Sequence, residues 1–417
     1  MMKKILRTSF YSIGSRGFMT ATTIGLTWIV FHEIGEKAGG IFGISQVFYY
    51  LFSLLTSYEL TIYFGREVSK YRDNTDKLRS LMGENLTALI TGLGLSAGVL
   101  LLLWMFYTPI SGPVLLIASI SGIIYGIEKN LSGFLLGHDE MKIEFIVQGI
   151  SFLIVMLPAW LAPNALGITG IYIIRTGASI LSIFIRILFS PIRSYLSLKS
   201  IRFRFSDSKE IYYFAAMGLC FFVQYYLDQF IISFYVSTSQ AGAYFLAGRI
   251  FSAFCILPEV SSFALIPYIS RIHSGKETGQ SESIHSFNRK IIAWGALFGL
   301  AASALIFFTR NLTPRLFSMK ENPHLTAYFL EIFSIMLFFR FVSYYTGTIL
   351  SATRFQNVRL YTMIAASVLM IAAGFPLAYY FKFNGILYTR AAMEVFLFAI
   401  YHYLVEKYRK RDIINAQ

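Results

Sequence analysis

Twelve apolar runs, separated by short polar breaks, follow one another along the 417-residue chain. A helix needs about 20 mostly apolar residues to cross the hydrocarbon core of a bilayer. The runs extend approximately over 9–31, 39–64, 81–107, 113–136, 143–161, 167–189, 209–235, 240–269, 289–309, 325–352, 359–381 and 384–405. The sequence therefore predicts an all-α membrane protein with twelve transmembrane helices.

Composition excludes a soluble protein and makes nucleic acid a remote partner. The chain is 56% hydrophobic and only 14% charged, which is too little polar surface for a soluble domain of this length. The net charge of +14 would suggest nucleic-acid binding in a soluble protein, but here the basic residues cluster between the apolar runs. We therefore expect no nucleic-acid partner.

The basic residues alternate between the two sides of the predicted membrane. With both termini on one side, that side carries 24 of the 36 Lys and Arg residues, the other side carries 5, and the remaining seven lie within spans. Cytoplasmic segments are enriched in Lys and Arg. The sequence therefore predicts that both termini are cytoplasmic.

A short motif predicts that the chain contains an internal repeat. The pattern Gly-Ile-x-x-x-Arg begins at Gly170 and again at Gly385, 215 residues later, each time at the start of the last span of a half. A weaker match sets Gly40 against Gly242, 202 residues later. We expect two six-helix lobes, residues 1–205 and 206–417, related by a parallel pseudo-two-fold repeat with the substrate path between them. The basic segment Arg202-Phe203-Arg204 would link the lobes.

Seven cations lie within the spans at least three residues from either end, and six of them are arginines. A charge at the centre of a bilayer costs about 2.5–3.5 kcal/mol on insertion scales, so several in one chain imply an internal space with an anionic occupant. The seven residues are Arg16, Lys129, Arg175, Arg186, Arg249, Arg340 and Arg390.

Depth along the spans separates the cations that we expect to bind substrate. Arg340 lies near the middle of span ten, beyond easy reach of either membrane surface, and Arg16 and Arg249 lie two and three turns inside their spans. Tyr344 and Tyr345, one turn from Arg340, would stack on sugar rings.

The other four cations have simpler explanations. Lys129 and Arg186 lie near the predicted cytoplasmic ends of their spans, where a long side chain can extend to the head groups. We also expect Lys129 to be able to bind the substrate. We expect Arg175 and Arg390 to have a structural role as clamps between helices. Glu394 lies four residues after Arg390, a spacing that allows the two to pair along one helix.

Two buried acids are candidates for ion coupling. Asp228 and Arg249 occupy similar depths in consecutive spans, and they are expected to pair. Glu259 follows Pro258, so span eight is expected to be kinked or broken beside an acidic group. A carboxylate that alternates between surroundings can carry a proton, whereas a permanent ion pair would only fix helix packing. The sequence leaves both explanations open.

The first hairpin carries a family resemblance. Ile34-Gly35-Glu36, followed by Gly40-Ile41-Phe42-Gly43, and the later Phe64-Gly65-Arg66-Glu67, resemble the short outer turn and the second-helix ending of Wzx-type flippases. These flippases belong to the multidrug/oligosaccharidyl-lipid/polysaccharide exporter superfamily. The resemblance implies transport of undecaprenyl-pyrophosphate-linked oligosaccharide across a bacterial inner membrane for O-antigen or capsule synthesis. It also implies H⁺ or Na⁺ as coupling ion, and a polymerase and glycosyltransferases as partners beside the membrane lipids.

Two other functions remain open. A multidrug or cation exporter of the same superfamily would share the architecture but need an acidic or apolar cavity. A membrane polymerase or glycosyltransferase would need a sizeable outer domain, whereas the longest predicted outer connection is the segment from Arg310 to His324. The chain contains no HExxH and no GxxxxGK[ST] motif, so we expect a transporter without a cofactor rather than an enzyme.

Overall fold

The computed structural model describes residues 2–106, 110–196, 209–273, 284–352 and 356–415. The predicted boundary between lobes at 205/206 and the basic segment Arg202-Phe203-Arg204 lie outside these residues.

The described residues form fourteen α-helices and one π-helical turn, Val30–Ile34. The helices are α1 Met2–Ile29, α2 Glu36–Ser57, α3 Thr61–Lys70, α4 Thr75–Phe106, α5 Gly112–Gly137, α6 Met141–Leu161, α7 Pro163–Phe189, α8 Ile192–Tyr195, α9 Lys209–Ile232, α10 Thr238–His273, α11 Ile284–Thr309, α12 Leu312–Leu316, α13 Pro323–Ala352 and α14 Gln356–Asn415.

Twelve membrane passes are confirmed. Ten segments of the described chain are long and apolar enough to cross a membrane, and α1, with 28 residues, is long enough for a further pass although it is more polar. The last of the ten, Asn357–Lys407, contains two passes because the backbone of α14 leaves the helical conformation at Lys382.

Two local breaks shape the first third of the chain. Gly35 has φ +113°, a conformation that L side chains rarely adopt, and it turns the chain from the π-helical turn into α2. Tyr58 and Glu59 both have positive φ, so the predicted second span is divided into α2 and α3. By contrast, α10 is one continuous helix from Thr238 to His273, so span eight is not broken at Pro258, and a kink there stays a prediction.

The chain divides into two compact units, Met1–Phe222 and Val223–Gln417. In the first unit, α2 packs along α5, and glycines make this contact close. A Cβ atom on Gly126 would stand 2.8 Å from the Ser53 carbonyl oxygen, and one on Gly122 would collide with the Tyr49 carbonyl. Small residues let the backbones of membrane helices approach one another in this way.

The backbone shows the predicted repeat. Gly167 in α7 and Lys382 in α14 are both non-helical, with φ of 57° and 53°. Each stands three residues before the Gly-Ile-x-x-x-Arg motif of its half, so these breaks are also 215 residues apart. The last pass of each unit therefore begins with the same local geometry.

Candidate functional site

Arg186 is the centre of a buried ion network in the first unit. It donates from Nε and Nη2 to the two carboxylate oxygens of Glu144, at 2.9 Å each, and from Nη1 to Glu128 at 3.0 Å. Gln148 donates to both carboxylates and Ser132 donates to Glu144. The Arg186 side chain is 0% exposed. The prediction that it extends to the head groups is wrong, because two carboxylates hold it inside the helix bundle.

Lys129 forms the second ion pair of this unit. Its Nζ atom lies 2.5 Å from both carboxylate oxygens of Glu59, which stands at the break between α2 and α3. The backbone carbonyl of Lys129 also accepts a hydrogen bond from Thr61, the first residue of α3. Both charged side chains are partly exposed. The geometry favours a contact that holds α3 against α5.

In the second unit, Asp228 pairs with Arg390, and it also accepts a hydrogen bond from the Tyr244 hydroxyl at 2.7 Å. The predicted Asp228–Arg249 pair is therefore wrong. Arg390 does not pair with Glu394, its neighbour one turn along the helix, and its guanidinium lies 5.0 Å from the ring centroid of Phe251. Tertiary contacts between helices have replaced both of the expected local pairs.

Arg340 lies among polar and aromatic groups from three helices. Its Nη1 atom stands 3.4 Å from Glu394 and 3.4 Å from Gln224. The guanidinium is 4.5 Å from the ring centroid of Tyr225 and 5.2 Å from that of Tyr344, and the two tyrosine hydroxyls are hydrogen-bonded at 2.6 Å. The Arg340 Nε and Gln224 Nε2 atoms are buried and have no hydrogen-bond partner within the described chain. This cluster combines unused donors with aromatic rings.

Arg175 rests on aromatic rings rather than on a carboxylate. Its guanidinium lies 4.0 Å from the ring centroid of Tyr49 in α2 and 5.6 Å from that of Tyr172. The Nη1 atom is buried without a hydrogen-bond partner within the described chain. Among the described residues, Arg175 therefore packs on aromatic rings and has no carboxylate as the partner of a structural clamp.

The remaining predicted residues are dispersed. Arg16 lies near the middle of α1, because this helix begins at Met2 rather than at residue 9. Its side chain is partly exposed. Arg249 is buried, 4.8 Å from the ring centroid of Phe245. Tyr345 is hydrogen-bonded to Ser261 at 2.7 Å, so Tyr344 is the tyrosine that contacts Arg340. Glu259 is partly buried in α10, within electrostatic reach of Tyr344.

Sequence reasoning missed several members of these networks. It did not single out Gln224, Tyr244 or Glu144 as partners of the buried charges. One signal was available, since Glu144 and Gln148 lie one helical turn apart within an apolar run and so share a helix face. Among the side chains that the structure describes, no group of three or more His, Cys, Asp or Glu could hold a metal ion.

Two units of long apolar helices with buried charge networks define the class of the protein as a multi-pass membrane protein. Solved transporters have the same fold. An inward-facing multidrug resistance MATE family transporter of the MOP superfamily superposes with a TM-score of 0.69 at 11% identity, covering 94% of this chain and 96% of that chain. A MATE crystal structure in the straight conformation gives 0.66 at 14% identity, with 98% and 97% covered. An outward-facing MATE transporter gives 0.64 at 15%, with 98% and 96% covered.

The sequence defines the family. Residues 5–273 match the family described as polysaccharide biosynthesis protein, and the chain belongs to that family. No curated relative matches the chain. The predicted resemblance is confirmed at the level of family and fold: the chain is a multi-pass membrane protein of the polysaccharide biosynthesis family, and its fold is that of solved transporters.

Proposed function

We propose that this protein is a flippase that moves a lipid-linked oligosaccharide with a pyrophosphate head across a bacterial inner membrane by alternating access. The cargo would be an undecaprenyl-pyrophosphate-linked repeat unit destined for a surface polysaccharide such as O-antigen or capsule. Both termini would be cytoplasmic, since most basic residues outside the spans fall on that side.

The Arg340 cluster carries this proposal. Two buried donors, Arg340 Nε and Gln224 Nε2, are without a hydrogen-bond partner within the described residues, beside the hydroxyl-linked pair Tyr225 and Tyr344. A guanidinium hydrogen-bonds phosphate oxygens strongly, and aromatic rings pack against the apolar faces of sugars. A cargo that carries both a pyrophosphate and sugars would satisfy both parts of the cluster. Arg16, Arg249 and Lys129 would assist as further cations along the path.

Uphill transport needs a coupling ion, for which we propose H⁺ or Na⁺. Of the two candidate acids, Asp228 is buried, with 1% of its surface exposed. Glu259 is partly exposed and lies within electrostatic reach of Tyr344. Its position beside the proposed binding cluster favours Glu259 as the carboxylate that exchanges the ion.

The flippase function is tested by replacing Arg340, Arg16 and Arg249 individually with Ala and measuring surface polysaccharide at matched protein levels. Arg340→Ala should reduce delivery most, and Arg340→Lys should restore only part of it, because Lys lacks the planar fork. Arg315→Ala, which removes an exposed cation in α12, is the control. Full delivery by all three variants would overturn the cationic binding mechanism.

The cargo and the coupling ion are tested with purified protein in liposomes. Wild-type protein should make a lipid-linked oligosaccharide accessible on the opposite leaflet and should not export cationic dyes. An imposed proton or sodium gradient should accelerate this transport in wild type but not in Glu259→Gln. Asp228→Asn is measured alongside, and gradient dependence that is lost in Asp228→Asn but kept in Glu259→Gln would assign coupling to Asp228.

A further inference from the structure

We infer that Arg175, Gln46 and Tyr49 form a second anion-binding subsite, contained within the first unit, that receives a phosphoryl or carboxylate group of the cargo. The inference deepens the proposed function and rests on it for the identity of the cargo.

Arg175 and Arg390 occupy equivalent places in the repeat. They are the arginines of the two Gly-Ile-x-x-x-Arg motifs, 215 residues apart, and each follows the same backbone break. Arg175 lies over the ring of Tyr49, and Arg390 lies over the ring of Phe251. Tyr49 and Phe251 are themselves 202 residues apart, the spacing that relates Gly40 to Gly242. The same contact, an arginine of the last span on an aromatic ring of the second span, is therefore made in each unit.

The two arginines differ in their counter-charge. Arg390 is neutralised by Asp228 of α9, the first span of the second half. The first span of the first half is α1, and it contains no Asp or Glu between Met2 and Ile29. Arg175 forms no ion pair with any Asp or Glu that the structure describes, and aromatic rings are its contacts. One of the two equivalent positions thus has a built-in anion, whereas the other has none.

Gln46 provides an independent indication that a ligand belongs here. Its side chain is 0% exposed, and neither its amide nitrogen nor its amide oxygen has a hydrogen-bond partner among the described residues. Gln46 precedes Tyr49 by three residues in α2, so the two lie on the same helix face. Burying an unpaired amide is unfavourable unless a partner arrives to accept its hydrogen bonds. The Arg175 Nη1 atom is also buried without a partner, so donors from two helices are left unused.

The chemistry of the subsite selects the class of ligand. The guanidinium charge of Arg175 repels a cation, and its N–H groups together with the amide N–H of Gln46 can donate to an oxyanion. Tyr125 stacks on Tyr49, with 5.2 Å between centroids, and extends the aromatic surface beside Arg175. An oxyanion attached to a sugar or an isoprenoid would use both features. A phosphoryl group of the pyrophosphate and the carboxylate of an acidic sugar share this chemistry.

The test is isothermal titration calorimetry on the purified full-length protein in detergent, with inorganic pyrophosphate and with glucuronate as separate probes. Wild-type protein should bind at least one probe saturably. Arg175→Gln and Gln46→Leu should each weaken that binding about tenfold or more, which corresponds to the loss of a charge-assisted hydrogen bond. Arg79→Gln, an exposed cation in α4, is the matched control and should bind as wild type does. Gln46→Leu keeps the test available if Arg175→Gln does not fold.

The outcomes are distinguishable. Selective binding of pyrophosphate assigns the subsite to the lipid head, and selective binding of glucuronate assigns it to an acidic sugar. Equal affinity of wild type, Arg175→Gln and Gln46→Leu, or the absence of saturable binding by wild type, would overturn the subsite. If the probe binds in a manner that depends on Arg175 but the protein does not flip lipid-linked oligosaccharide, the subsite is supported and the proposed flippase function is rejected.

Discussion

Arg186 donates two hydrogen bonds to the carboxylate of Glu144, each at 2.9 Å, and neither side chain is more than 6% exposed. The third donor of the same guanidinium serves Glu128. Because one cation is shared by two buried acids, its loss would leave both carboxylates without a counter-charge. The three charged residues of the network come one each from α5, α6 and α7, so the network joins these helices.

We predict that Arg186→Met destabilises the protein by about 3–5 kcal/mol, the typical cost of breaking a buried ion pair from one side. Glu128→Gln should cost less, because Glu144 keeps its two hydrogen bonds. Unfolding in mixed detergent micelles measures both changes. Arg79→Met is the control and should change the stability by no more than about 0.5 kcal/mol, as is usual for an exposed site. Equal stability of Arg186→Met and Arg79→Met would contradict the structural role.

The contact between α2 and α5 yields a prediction about glycine. Gly122→Ala should lower the apparent melting temperature, because the new methyl group would collide with the Tyr49 carbonyl and force the helices apart. Gly94→Ala is a matched control in α4, where a Cβ atom would meet nothing within 4 Å. The control should be neutral or slightly stabilising, since Ala is the better helix former by about 1 kcal/mol. The prediction fails if the two variants melt at the same temperature.

A charge exchange separates the structural role of Lys129 from a role in binding cargo. Lys129→Glu should lower stability by about 1 kcal/mol or more, because it places two carboxylates at the break between α2 and α3. Combining it with Glu59→Lys should restore stability and surface polysaccharide, since the pair is reformed in reverse. A double variant that is stable but does not deliver polysaccharide would show instead that Lys129 contacts the cargo.

We predict that the stability of the protein depends on pH through His138. It lies in the turn between α5 and α6, buried and stacked on Tyr195 with 5.5 Å between centroids. Burial, and then the charge of Arg72, lower the pKa of His138 below its usual range, against the opposing charges of Glu140 and Asp139. The unfolded chain therefore binds a proton at higher pH than the folded chain does, and stability is lost as the pH falls through the ordinary histidine pKa of about 6.5.

We expect the melting temperature of wild type to fall between about pH 7.5 and pH 5.5, and to fall less in His138→Phe, which keeps the stacking but cannot be protonated. Arg72→Gln should also reduce the fall, because it removes the nearby charge that opposes protonation. Identical pH profiles for wild type and His138→Phe would show that His138 does not contribute.

The features of the fold that could be predicted depend on interactions between residues that are close in the sequence. Span length, loop charge and the Gly-Ile-x-x-x-Arg motif depend on residues close together in the chain, so the twelve passes and the repeat could be read directly. The break at Tyr58 and Glu59 was missed, since neither residue is a glycine or a proline and the strain is held by surrounding contacts.

The candidate site was predictable as a list of charges but not as a set of pairs. Sequence spacing suggested Arg390 with Glu394 and Arg249 with Asp228, because neighbours on one helix or on consecutive helices are the partners that a linear pattern reveals. The structure pairs Arg390 with Asp228 and Arg340 with Glu394 instead. Arg186 was placed at the membrane surface for the same reason, since its two carboxylate partners lie 42 and 58 residues earlier.

The sequence by itself determined that this chain crosses a membrane in two related halves and retains cations inside its spans, because the cost of burying charge and polar backbone constrains every segment separately. Only the tertiary structure decided which cations are neutralised. Ion pairing depends on which helix faces meet, and rotation of one helix about its axis would give its charged residues different partners. Arg186 and Arg390 thereby became parts of the scaffold, whereas Arg175, the counterpart of Arg390 in the repeat, was left resting on tyrosine rings without a carboxylate.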